Sequence, residues 1–366
     1  TGIDTPVHQR AAIAAIVRMK ILTEFTLQSL GWDLFFQQQL PDELPPGQAP
    51  VRVVGVERSI RQVIGQHGEL SLHADDAPVT VGDWLVADTT ELRLVSLLDR
   101  KTVFKRRAPG SDRREQLIAA NVDTLFIVSS CNQDFNEARL ERYLAIAHEA
   151  GAMPVVVLTK ADTCDTPGDY AALAGRLAPG LLVETVNALD RSSLTGLDAW
   201  LGAGQTVALL GSSGVGKSTL TNTLSGATEL ATKTVRDDDD KGRHTTTSRH
   251  LYPLPGGAWI MDTPGMRELQ LVDVQDGIDD VFEEISRLAS QCRFADCTHE
   301  TEPGCAVLTA IDQGDADPDR LKRWRKLVRE EAMNRESIAE RRARGKATGR
   351  FYKSVLSDSP ARKGRS

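Results

Sequence analysis

The chain has 366 residues, 40% of them hydrophobic, which is enough for two to three domains with buried cores. No apolar run approaches the roughly 18 residues that a spanning helix requires, and no secretory pattern opens the sequence, so a helical membrane protein is excluded and a cytoplasmic location is expected. Five cysteines, three of them clustered near one histidine, do not make a disulfide framework; they fit a reducing compartment and one metal site. The net charge of −7 is unevenly spread: residues 320–366 hold 16 Lys and Arg against 5 Asp and Glu, a net of +11 that leaves −18 on residues 1–319. A basic tail on an acidic body predicts a polyanionic partner.

In chain order, residues 1–49 read as an N-terminal extension with a mixed amphipathic stretch, followed by a proline-rich linker from Pro41 to Pro50. From Val51 the hydrophobic period becomes two, in Val51–Val56, Glu69–His73, Trp84–Ala87 and Leu92–Val95. Short alternating strands with Gly and Asp at the turns predict a small OB-like β-barrel over residues 50–110. Its last segment carries Arg100, Lys101, Lys105, Arg106 and Arg107, which fits either a nucleic-acid-binding surface or a solvated basic edge.

Residues 111–275 alternate strand and helix. Val122–Val128 and Pro154–Leu158 are apolar runs of strand length, Glu137–Ala150 has helical spacing, and Leu181–Val186 is a further strand. This predicts a doubly wound, mostly parallel sheet with ligands at the carboxyl ends of its strands. Two such ends carry base-reading loops. Thr159-Lys160-Ala161-Asp162 has the form of the [N/T]-K-x-D guanine motif, in which the Asp accepts hydrogen bonds from N1–H and the exocyclic amine. Adenine lacks that donor pair. Val186-Asn187-Ala188-Leu189 occupies the place of the second base loop.

The strand Thr206–Leu210 then enters Gly211-Ser212-Ser213-Gly214-Val215-Gly216-Lys217-Ser218-Thr219, followed by a helical pattern. Strand, glycine-rich turn and helix are the context of a phosphate-binding loop, whose amides and helix N-terminus hold phosphate oxygens. Lys217 is placed to reach the β/γ-phosphates and Ser218 to ligate Mg²⁺. Downstream lie the polar stretch Lys241–Thr247, which contains His244 and Thr246, and Trp259-Ile260-Met261-Asp262-Thr263-Pro264-Gly265. Asp262 and one switch threonine, Thr246, are expected on Mg²⁺, and the Gly265 amide on the γ-phosphate.

The order of these motifs is distinctive. Small GTPases ordinarily run phosphate loop, switch threonine, D-x-x-G, then the two base loops; here the base loops come first. The domain is circularly permuted, as near-coincident termini permit. Together with the preceding barrel, the following Cys/His cluster, Gly242-Arg243-His244-Thr245-Thr246-Thr247 and Asp262–Glu268, the chain resembles the bacterial small-ribosomal-subunit biogenesis GTPase family, RsgA, over about residues 50–340. The resemblance implies a GTP hydrolase that binds the 30S subunit through 16S rRNA, is stimulated by it and acts late in its assembly, as a monomer with GTP/GDP and Mg²⁺. Thr159 stands where the family commonly has Asn, and Asn187 where it has Ser. Met266 follows the D-x-x-G segment where many GTPases place a water-orienting Gln, so His244 is the candidate catalytic residue.

Residues 276–366 are expected to form a zinc-binding, mostly helical domain. Cys292-x4-Cys297-x-His299-x5-Cys305 supplies three thiolates and an imidazole, a closed set typical of structural Zn²⁺. Cys131 and Cys164 are read as bystanders. Asp319–Ala343 has helical spacing, with Leu321, Trp324, Leu327 and Val328 on one side and Lys322, Arg323, Arg325, Lys326 and Arg329 elsewhere. That charged side, with the tail from Arg341, is either an RNA contact or a solvated face. Two other classes remain open on the sequence: a GTP-gated RNA-binding module, and a P-loop kinase or ATPase with an accidental T-K-x-D.

Overall fold

Alternation of apolar and polar residues in Val51-Arg52-Val53 sets the first strand, and the same period builds the module around it. The computed structural model describes residues 25–57, 59–74, 76–107, 115–226, 249–262 and 274–335. Strand β1 (Gln48–Val56) pairs antiparallel with β2 (Ile60–Gly65) and with β4 (Trp84–Asp88); β2 pairs with β3 (Gly68–His73) and β4 with β5 (Arg93–Leu97). His73 N donates to Leu92 O at 3.1 Å, bringing β3 to the start of β5 and closing an OB-like barrel. Val51, Val53, Val63, Leu72, Leu85 and Ala87 fill its interior. Strand β2 is absent from the expected set because Arg61 and Gln62 interrupt its apolar pattern, yet Arg61 is buried and donates to Ala77 O.

The segment before the barrel is more than a linker. Residues 28–30 form a 3₁₀ turn and Leu34–Gln37 a short helix, α1, capped by the Asp33 carboxylate. Leu30, Trp32 and Phe36 are buried; Trp32 packs edge-on and Phe36 tilted against Trp84, with centroids 4.8 and 5.7 Å away. The expected basic edge is also largely spoken for. Arg100 donates to the buried Asp83 at 2.7 Å, Lys101 pairs with Asp33 above the Phe36 ring, and Arg106 is buried against Gln116. The last of these lies in the hairpin β6 (Val103–Arg107) and β7 (Glu115–Ala120).

The α/β region is a sheet in the order β10-β9-β8-β11-β13-β12, from β8 (Thr124–Ser130), β9 (Met153–Thr159), β10 (Leu182–Thr185), β11 (Thr206–Gly211), β12 (Arg249–Pro253) and β13 (Trp259–Asp262). Only β12 runs antiparallel within it. All seven residues of β8 are buried, as a strand covered on both faces requires. Helix α2 (Glu137–Glu149) and helix α3 (Pro167–Gly175) follow β8 and β9, and α4 (Lys217–Ser225) follows β11. Strand β12 also pairs with the end of β1, at Gly55↔His250 and Val56↔Arg249, so barrel and α/β sheet are one hydrogen-bonded surface.

A buried arginine reinforces that junction. Arg52 donates to Leu30 O at 2.6 Å, Asn121 O at 3.2 Å and Thr206 Oγ1 at 2.7 Å, tying three parts of the chain together. Burial lowers its pKa to about 10, against the favourable pull of Asp123.

Beyond the sheet come α5 (Gln275–Val281), α6 (Glu283–Ala289), α7 (Ala306–Gln313) and α8 (Pro318–Arg335). Helix α8 lies against α2: Arg323 reaches the fully buried Glu141 at 2.8 Å and Glu137 at 3.0 Å, and Arg142 reaches Glu330 at 2.5 Å. Arg320 contacts Glu141 at 3.3 Å and donates to Leu177 O and Val281 O. Arg323 and Arg325, read from sequence as part of a charged side facing either RNA or solvent, are therefore paired, the latter with Glu300. The helix was expected to reach Ala343; positions after 335 lie outside the described residues.

Candidate functional site: a phosphate loop, two base loops and a Cys3His cluster

The chain turns sharply after β11 because glycines accept backbone angles that other residues resist. Gly214 has φ +80° and Gly216, the N-cap of α4, has φ +93°. Val215 between them is buried against Leu220, which pins the loop to the core while Ser213 and Gly214 face solvent. Lys217 Nζ donates to Gly211 O at 2.8 Å and to Ser212 O, so its ammonium is folded across the mouth of the loop. Ser218 and Thr219 lie in the first turn of α4, where free amides and the helix dipole favour an anion. Ser212 Oγ accepts from Arg139 Nη1 at 2.7 Å.

The two base loops, distant in sequence from the phosphate loop, are joined to it directly. Thr159, fully buried at the end of β9, places Oγ1 2.5 Å from Val215 O and 3.1 Å from Ser129 O. The hydroxyl thus links base loop and phosphate loop, so the departure from Asn keeps a side-chain connection there. Lys160 turns the chain at φ +60°, Ala161 N donates to Val186 O at 3.3 Å, and Asp162 is exposed on the following 3₁₀ turn. Asn187 Oδ1 accepts from Leu189 N at 3.0 Å, and Ala188 O accepts from Thr223 Oγ1 at 2.6 Å, fastening the second base loop to α4. Asp162, Asn187, Ala188 and residues 211–219 therefore share one end of the sheet, at the carboxyl ends of β9, β10 and β11. Asp262 ends β13, the neighbour of β11. His244, Thr246 and Gly265 lie outside the described residues.

The second centre forms between α6 and α7. One ligand atom from each of Cys292, Cys297, His299 and Cys305 falls within 4.8 Å of the others. Cys292 Sγ and Cys305 Sγ are 3.8 Å apart, and His299 Nδ1 is 3.5 and 3.3 Å from them. Four ligands tetrahedrally placed about 2.3 Å (S) and 2.0 Å (N) from zinc would be separated by about 3.5–3.8 Å, so the donor set fits that ion. Burial lowers the pKa of His299, favouring the neutral imidazole that binds metal. Cys305 caps α7, accepting from Leu308 N at 3.4 Å. Cys131 and Cys164 stand apart from this cluster; burial and the neighbouring Cys164 push the Cys131 thiol up to about 11.

Fold and site together define a circularly permuted P-loop GTPase carrying an OB-like barrel and a Cys3His module. Residues 97–272 match the RsgA GTPase family. The small ribosomal subunit biogenesis GTPase RsgA 2 of Vibrio parahaemolyticus is 48% identical over 92% of this chain and 95% of its own length. RsgA of Mesorhizobium japonicum is 50% identical over 84% of this chain and 91% of its own length. The chain belongs to the RsgA family of small ribosomal subunit biogenesis GTPases. Two solved structures share the fold: YjeQ from Thermotoga maritima, with TM-score 0.56 and 22% identity over 76% of this chain and 97% of that chain, and YloQ, a circularly permuted GTPase, with TM-score 0.55 and 20% identity over 79% and 96%.

Sequence reasoning missed Arg139, Thr223 and Ser193, whose hydroxyl accepts from Asn187 N at 2.8 Å, as parts of this site. Arg139 sits 73 positions from Ser212, on a helix whose spacing signals only amphipathicity, and Thr223 reads as an ordinary residue of α4.

Proposed function

We propose that this GTPase binds GTP and GDP at the carboxyl end of the sheet, hydrolyses GTP in the cytoplasm, and acts as a monomer on the 30S ribosomal subunit through 16S rRNA late in its assembly. The juncture of Thr159, Val215 and Lys217 carries the first part, since it unites base and phosphate recognition in one rigid corner. Asp162 would take the guanine N1–H and amine. Lys217, whose ammonium already lies at the mouth of the loop, would meet the β/γ-phosphates, and the amides of residues 213–218 would stabilise charge gathering on the transferring group. Mg²⁺, held by Ser218, Thr246 and Asp262, would neutralise phosphate charge. Water attacks the γ-phosphorus in line, and His244 is the residue assigned to orient it, Met266 having no group for the task.

One structural zinc in the Cys3His cluster is part of this proposal; it would hold the turn between α6 and α7, a segment with little apolar core of its own. The relatives' names supply the ribosomal subunit, and the basic composition of residues 320–366 supports rRNA as the contact. Among the described side chains of α8, Lys322, Lys326 and Arg329 are exposed, while Arg320, Arg323 and Arg325 hold the helix in place. The test is GTP turnover with and without purified 30S subunits, alongside co-sedimentation of the protein with them across salt. Stimulated turnover and salt-sensitive binding are expected. Equal turnover and no co-sedimentation would refute the ribosomal reading while leaving the GTPase chemistry standing.

A further inference from the structure

Helix α2 is held on one side and reaches out on the other. Glu137, Glu141 and Arg142 grip α8, and the Asn136 side chain caps the helix by accepting from Arg139 N at 2.9 Å. That fixes the backbone of Arg139, whose side chain extends to the phosphate loop. Nη1 donates to Ser212 Oγ at 2.7 Å, with a weak second contact to Asp134 O at 3.5 Å. Arginine suits this task because its guanidinium stays charged and presents several donors in a fixed plane.

Lys217 Nζ donates to Gly211 O and Ser212 O. An ammonium has three donors, so part of that carbonyl bonding can be exchanged for phosphate oxygens as nucleotide enters. The Arg139 bond uses the serine hydroxyl instead, so it can persist through that exchange. It also fixes a positive charge beside a loop that receives a polyanion.

We propose that Arg139 is a positioning residue for nucleotide binding: through the Ser212 hydroxyl it holds the front of the phosphate loop in its binding shape while Lys217 engages the phosphates. The anchor is made in the ground state and in the transition state alike, so it acts on affinity more than on the chemical step.

The test compares Arg139→Ala, Arg139→Lys, Ser212→Ala and the double variant Arg139→Ala/Ser212→Ala in the full chain. Dissociation constants for GTP and GDP are measured with kcat and KM. Arg139→Ala is expected to weaken both nucleotides by about 10-fold, the scale of one hydrogen bond from a charged donor, and to raise KM with kcat within about 2-fold. Ser212→Ala should weaken both in the same sense, and the double variant should be no worse than Arg139→Ala alone, because the two act through one bond. Arg139→Lys, still charged and able to donate, should recover most of the loss. General damage to the fold would instead lower the active fraction and kcat per chain at unchanged affinity, and that result overturns the proposal. So do wild-type affinity in Arg139→Ala, additive losses in the double variant, or unchanged affinity in Ser212→Ala, which removes only the acceptor oxygen and carries the test should the arginine variant not fold.

Discussion

Two glycines of the phosphate loop should respond very differently to the same added methyl group. A Cβ at Gly211 would lie 2.2 Å from Val128 O, the backbone of its own register partner on β8, and 3.3 Å from Val215 Cγ2. Since ordinary Cβ contacts begin near 3.4 Å, β8 and β11 must separate by about 1 Å at the site where Lys217 is anchored. Neither strand can yield cheaply inside a covered sheet, so Gly211→Ala should cost about 3 kcal/mol or more. At Gly214 nothing lies within 4 Å of the added atom, and only the φ of +80° is at stake. That strain is about 1–2 kcal/mol. Thermal unfolding should therefore fall by about 6–12 °C in the first variant and by about 2–8 °C in the second. Titration with a fluorescent GTP analogue should show Gly211→Ala as the poorer binder, because its strain is relieved by moving the loop itself. An Ala at 211 that melts within 2 °C of the parent and binds GTP normally, or a reversed order of the two variants, would refute the reasoning.

Three further outcomes are expected. Asp162→Asn should lose GTP and gain xanthosine triphosphate, since the amide offers a donor where guanine N1–H needs an acceptor; competition binding with the two nucleotides checks it. Cys297→Ala should lose a zinc that the parent carries at about one per chain by metal analysis, with GTP binding retained, because the nucleotide loops lie outside the cluster. His244→Ala should reduce 30S-stimulated turnover by about 100-fold with GTP affinity and 30S binding intact, the effect of losing a group that orients water in the transition state; stimulated turnover near the parent value would assign that task elsewhere.

Much of this molecule is readable from its sequence where the chemistry is local. Gly211–Thr219 and the Cys292–Cys305 spacing compress their ligands into 9 and 14 residues, and the motif order alone reveals the permutation. What escapes is set by partners far along the chain. The arginines of α8 look like an RNA-facing stripe until Glu141 and Glu300 are brought against them. Likewise, Arg100 reads as part of a basic edge, yet Asp83 buries its charge. Leu30, Trp32 and Phe36 carry too short a pattern to announce a packed element; Trp84 provides their reason for folding. Thr159 reads as a departure from Asn, and only the closeness of Val215 O shows the work its hydroxyl does.

The long reach of the Arg52 bonds has a consequence for synthesis on the ribosome. Leu30 and Asn121 leave the exit tunnel within about 70 residues of Arg52, but Thr206 follows 154 residues later, and the His250 partner of Gly55 later still. At a translation rate of roughly 5–20 residues per second, the barrel emerges many seconds before these two partners. Until then Arg52 lacks its partner on β11, and the end of β1 presents an edge without β12, open to other strands. The charge that is costly to bury in the finished protein would keep water on that face of the nascent barrel until β11 covers it.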